Sequence, residues 1–135
     1  MAGSFSDYAE NKVLELIVGK TAFATPDVWV ALGSGTTLDA FTEITGSTNY
    51  VRKALTSGGA YWNAASGGAI DNATAITFAT AGNDWNSGNE IEEVALFNHA
   101  TAGNMLARAA LTTPKIVLNG DTAQIPVGDL DLTLS

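Results

Sequence analysis

Two hydrophobic periods divide this chain. Between Ser4 and Lys20 apolar residues recur at helical spacing: Ala9, Val13, Leu16 and Ile17 share one face, and Leu14 and Val18 widen it. Two starts are open. Asp7 with Glu10 imitates a capping box, or Ser6 caps and Asp7 sits in the first turn; both put acid at the positive end of the helix dipole. Gly19 and Lys20 supply a C-terminal stop. The pattern predicts one amphipathic helix over 4–20, its stripe packed on the domain's own sheet or on a neighbouring subunit.

From Thr25 onwards the period is two. Val28, Val30 and Leu32 share a face of a strand over 27–32. Further short strands are predicted at 50–56 and 60–64, joined across Ser57-Gly58-Gly59. Others follow at 74–78, with Ile76 and Phe78 in register, at 91–98 and at 105–112. The last quarter carries the clearest alternation. Ile116 and Leu118 alternate with Lys115 and Val117, Ile125 and Val127 resume the run, and Leu130, Leu132 and Leu134 close it. Asn119-Gly120 between two such runs predicts a type I′ hairpin, which needs positive φ at both central residues. The leucine ladder is the expected core for the N-terminal helix. Residues 33–49 and 81–90 read as long polar loops, where partner contacts are expected. Eight or nine short strands between Gly- and Asn-rich turns predict a mainly all-β fold, an antiparallel β-sandwich of jelly-roll-like type with one N-terminal α-helix. One domain spans 1–135, with a β-rich body over 25–135.

Composition narrows what such a domain can do. The chain has 135 residues and no cysteine, so disulfides and thiolate metal sites are excluded. Six Lys and Arg against fourteen Asp and Glu give a net charge of −8, which disfavours nucleic acid. No apolar run reaches the ~20 residues needed to cross a bilayer, and no secretory signal pattern opens the chain, so no membrane partner is expected. Charged residues make up 15%, below the usual share of roughly 25%. Short uncharged side chains take their place, and these lose little entropy on docking.

Candidate chemistry is sparse. His99 is the one histidine and falls where a hairpin turn is expected, so it reads as a turn residue and not as a catalytic base. Glycosidases need a pair of carboxylates, and Glu90, Glu92 and Glu93 cluster. Glu90 and Glu92 read more simply as a solvated strand edge. The run from Asp84 to Glu90 has oxygen donors at alternate positions but lacks the EF-hand glycine offset and flanking helices. Gly33-Ser34-Gly35 follows a strand as a phosphate loop would, without the lysine or helix that should come next. Asn72-Ala73-Thr74 is a formal glycosylation sequon. Catalytic residues, cofactors and metals are therefore expected to be none. Aromatic side chains are the better contact candidates: Phe5, Tyr8, Phe41, Tyr61, Trp62 and Trp85, the last three as a possible sugar-stacking platform.

Several stretches also resemble a known family. Tyr8-Ala9-Glu10-Asn11-Lys12, the Thr21-Ala22-Phe23 spacer and a first strand ending in Ala31-Leu32 are similar to the start of small tailed-bacteriophage virion proteins, often labelled tail-fibre-like. YVRKALT, YWNAASGG with AITF, VALFNHATAGNMLARAALTTPKIVLNGD and VGDLDLTL match that family in order. The resemblance implies a non-enzymatic structural protein of a phage particle and carries no site residues over. The absence of shaft repeats and heptads favours a capsid decoration or cement protein bound to the major capsid protein. The alternative is a tail-associated, tail-fibre-like structural or receptor-binding module that meets tail proteins. Either reading places the chain in the virion, assembled in the host cytoplasm, and expects a homo-oligomer.

Overall fold

The computed structural model describes residues 2–21, 27–37, 40–55 and 59–134. Its framework is built around a central strand rich in apolar residues. Strand β7 (Ile91–Phe97) pairs antiparallel with β2 (Trp29–Thr37) on one side and with β8 (Met105–Lys115) on the other. β3 (Ala40–Glu43) and the two-residue β4 (Lys53–Ala54) add to β2. β1 (Ala2–Phe5) adds to β8, β10 (Asp131–Thr133) runs parallel to β1, and β5 (Ala69–Asp71) closes the far edge. The result is an eight-stranded sheet of order β3-β2-β7-β8-β1-β10-β5, with β4 beside β2. β6 (Ile76–Thr80) and β9 (Thr122–Ile125) form a separate two-stranded sheet. The layers are thus unequal, eight strands against two.

Between them lies the core. Val30 and Leu32 of β2, Val94 and Leu96 of β7 and Leu106 of β8 cluster with Ile76 and Phe78 of β6 and Ile125 of β9. Trp85, Ile91, Val117 and Leu130 fill the rest. Each such side chain contributes about 1.5–3 kcal/mol by leaving water. The sandwich with one N-terminal helix follows from this alternation, as expected.

The single helix is shorter than predicted. α1 covers Asp7–Ile17, because Ala2–Phe5 is taken by β1. Ser6 is the cap: its Oγ accepts from the Ala9 N–H while its own N–H donates to the Leu106 carbonyl, which stitches the helix start to β8. Gly19 and Lys20 end the helix as expected, with Gly19 at φ +69 and the Lys20 N–H donating to the Glu15 carbonyl in a Schellman arrangement. Of the two partners expected for the stripe, the domain's own sheet takes little of it. Only Ala9 is buried; Leu14, Ile17 and Val18 stand 61%, 74% and 74% exposed. The helix rests on β8 and β1 by its first turns, not on a leucine ladder.

The last quarter also differs. Val117 is buried, whereas Ile116 and Leu118 face out, so the alternation there has the opposite phase. Leu130 is buried, but Leu134 and Val127 are exposed. Asn119-Gly120 does turn the chain, with the Asp121 N–H donating to the Leu118 carbonyl. Gly120 alone has positive φ, as in a type II turn, and β9 then pairs with β6 instead of β8. Glycine at that position supplies the turn; the partner strand is chosen by Ile125 meeting Ile76 in register.

Expected loop 33–49 is largely a hairpin of β2 and β3. At Gly33 and Gly35 an added Cβ would meet the Thr42 and Ala40 carbonyl oxygens at 2.1 Å, so these glycines admit a close backbone neighbour. Conversely, the strand expected over 60–64 is a turn held by one bridge from Trp62 to Asn72, and that over 50–56 shrinks to β4. The start of the β body at Thr25, the strand end at Thr56 and the connection at Ser57-Gly58 lie outside the described residues.

Candidate interaction surfaces

The two segments expected to meet partners are bound first to each other. The Thr48 N–H donates to Asn83 Oδ1 and the Gly82 N–H to the Thr48 carbonyl, while Asn83 Nδ2 reaches the Gly46 carbonyl. Trp85 Nε1 donates to the Thr48 carbonyl at 2.9 Å. Its ring is fully buried against Tyr50 and Phe78, at centroid distances of 5.4 and 6.4 Å. Trp85 is therefore a core plug, and it lies off any contact surface or sugar platform. After it the backbone makes a left-handed turn, with φ +53 at Asn86, +55 at Ser87 and +76 at Gly88. Asn86 is held there by Nδ2 donating to the Glu90 carbonyl and by its N–H donating to Ser47 Oγ.

The other aromatic candidates scatter. Phe5 and Tyr8 are partly buried beside the core at the helix start. Phe41 on β3 sits 5.9 Å from the Phe97 ring. Tyr61 and Trp62 are partly buried near β5, at the opposite end of the strand order from β3. No single aromatic patch gathers them.

Polar clusters within the described residues support the framework. Arg52 pairs with Glu43 through Nε and Nη2, at 2.7–3.1 Å. Its Nη1 donates to the carbonyls of His99 and Ala102, and its guanidinium lies 3.7 Å over the Phe97 ring. Tyr50 joins this lock: its hydroxyl accepts from the Leu32 N–H at 2.9 Å and donates to Glu43 Oε1 at 2.7 Å. Burial pushes the Tyr50 hydroxyl far above its ordinary pKa, with the neighbouring Glu43 adding to the rise and the Leu32 N–H opposing it. A second pair, Arg108 with Glu93, lies in the sheet itself at 2.6–2.8 Å. Gly35 makes room for it, since a Cβ there would approach both side chains within 3 Å.

The expected chemistry candidates fall as follows. His99 Nδ1 lies 2.6 Å from the Thr101 carbonyl, and its ring sits 6.0 Å from that of Trp29 at a 35° tilt, so it is a turn residue. The glutamate cluster splits: Glu90 and Glu92 are exposed and Glu93 is buried in its ion pair. Asn72 is fully buried, donating to the Thr74 and Pro126 carbonyls and accepting from the Leu130 N–H, so the sequon holds a turn and offers no acceptor. Among the described residues no group of His, Cys, Asp and Glu is arranged to hold a metal, and no helix is long and apolar enough to cross a membrane.

Sequence reasoning missed the first of two further surfaces. An open groove of about 710 Å³ lies between the layers, lined by Phe78, Ile91, Val94, Leu111, Val117 and Ile125, with Lys115, Asp121 and Asp129 among its polar edges. The apolar end of α1 is the other. Its signal was present in the sequence, where Leu14 and Val18 broaden the stripe beyond what one sheet contact needs.

Fold and surfaces together define a mainly antiparallel β-sandwich module with exposed apolar faces and polar clusters taken up by its own framework. A family model described as Podophage GP4 fiber I protein gp80 matches residues 4–133, and the chain belongs to that family. It is accordingly a structural protein of a phage virion, as its resemblance to small tailed-phage virion proteins implied. No curated protein matches it.

Proposed function

We propose that the chain is a non-enzymatic, tail-associated module of the virion's fibre apparatus, working through contact area with other tail proteins. The observation that carries this reading is the match to a fibre-protein family over 4–133. The engagement of the His99 ring by its own turn and of buried Glu93 by an ion pair supports the non-enzymatic part. The expected decoration role, with the major capsid protein as partner, competes with it. Mass spectrometry of separated heads and tails tests the two. Recovery with tails, at a few copies per particle, is the expected result. Recovery with heads, at a copy number matching the capsid lattice, overturns the tail assignment and makes the chain a decoration protein.

A further inference from the structure

The end of α1 and the inter-layer groove are two apolar surfaces of the same chain. Leu14, Ile17 and Val18, spaced i, i+3 and i+4, form a convex apolar knob on the outer side of the last helical turns, with half-exposed Leu16 beside it. The groove is concave, apolar and about 710 Å³, room for several aliphatic side chains. Both features are tied to the same strand at different ends. The helix start is stitched to Leu106, whereas the groove is lined by β8 from Leu111 to Lys115.

We propose that copies of this chain associate head to tail, the Leu14-Ile17-Val18 knob of one seated in the groove of the next. Charge favours these faces for contact between two chains of net charge −8. At the knob, Lys12 and Lys20 each lie 3.3 Å from Glu15, two cations against one carboxylate. At the groove, Lys115 stands among the lining residues with Asp121 and Asp129. A face with one excess cation meets one with one excess carboxylate, and there acidic copies approach at least electrostatic cost. A contact of this kind is heterologous: every copy that donates its knob still has a groove to fill. Association therefore proceeds past a dimer, to a closed ring or an open row. The proposal holds wherever in the particle the chain sits, and its test uses purified full-length protein, so its failure leaves the tail assignment standing.

The test is light scattering and sedimentation of the wild type, Ile17→Glu and Thr113→Arg, with Ala123→Trp as a second groove variant should Thr113→Arg unfold. Ile17 and Thr113 are exposed, and circular dichroism checks that each variant keeps its fold. The wild type is expected to form species larger than dimers, and each variant to weaken association at least tenfold. Mixing the two variants restores one complementary interface, and the expected product is a one-to-one dimer that grows no further. Undiminished assembly of both groove variants would mean that helices pair with each other, and would overturn the proposal. A monomeric wild type, or a mixture that yields no dimer, overturns it equally.

Discussion

The molecule holds two arginine–glutamate pairs whose surroundings differ in an instructive way. Arg52 at the margin of the large sheet has every donor group occupied: Glu43 twice over, two turn carbonyls and an aromatic face. Among the described residues Arg108, inside the sheet, has Glu93 alone, and its buried Nε has no partner there. By hydrogen-bond satisfaction Arg52 is the better site. Yet the partner left behind decides what loss of the arginine costs. Glu43 keeps 28% of its side chain in water, and Glu93 keeps 7%. A carboxylate that can still be hydrated has somewhere to put its charge, and one enclosed between β2 and β8 has not. Tight satisfaction and high sensitivity are therefore separate properties.

The sharpest way to break this comparison is Arg108→Ala. It strands Glu93 unpaired in the sheet, and loss of one partner from a buried pair costs about 3–5 kcal/mol. Denaturant unfolding at pH 7 measures it. A cost under ~1 kcal/mol would show that Glu93 reaches water or takes a proton cheaply. The double replacement Glu93→Leu with Arg108→Met sharpens the point. It removes both charges and the unpartnered Nε together, so it is expected to recover most of the loss.

Arg52→Ala comes next, at about 2–3 kcal/mol, the scale of lost charge-assisted hydrogen bonds plus packing on Phe97. Its smaller effect is the comparison's prediction, since Glu43 stays partly hydrated. The loss should also be local. The turn at His99 to Ala102 loses the donors that fix its carbonyls, so faster amide exchange is expected there before any global opening. Exchange that accelerates uniformly across β7 and β8 would contradict that.

Neither pair was visible in the sequence, and the reason is shared with the other misses. β6 could be read because its side chains alternate in the chain itself, as at Ile76 and Phe78, and β7 and β8 because each is a short, mostly apolar run. What alternation cannot state is which strands meet. Asn119-Gly120 signalled a reversal, but only the fold pairs the following strand with β6. Gly33-Ser34-Gly35 looked like loop because its polar, side-chain-poor residues serve neighbours distant in sequence: β3's backbone and the Arg108–Glu93 pair. Val117 turns inward, against the phase suggested by Ile116 and Leu118, where its carbonyl accepts the Trp85 N–H. The helix stripe was read correctly as apolar. Its exposure followed from β1 and Ser6, which anchor the helix by its start and leave its end unpartnered among the described residues.

Tyr50→Phe tests the finer question of whether Glu43 depends on its second partner. The ring's packing against Phe78 and Trp85 is retained, so the change isolates the hydroxyl. Removing it leaves the Leu32 N–H and one Glu43 lone pair without partners, a cost of about 1–2 kcal/mol near neutral pH. The pH dependence has a definite sign. Burial raises the folded-state pKa above the ordinary value of 10.0, so the folded protein holds this proton after the unfolded chain has lost it. The stabilisation linked to that proton is fully present below pH ~10, and it falls as pH rises further, by about 1.4 kcal/mol per unit for one proton. Phenylalanine has no proton to lose, and every other residue is the same in both proteins. The stability gap between wild type and Tyr50→Phe should therefore close as pH climbs from 10 to 11. A gap that stayed constant across that range would mean the hydroxyl is hydrated in the folded state, and that Glu43 is held by Arg52 alone.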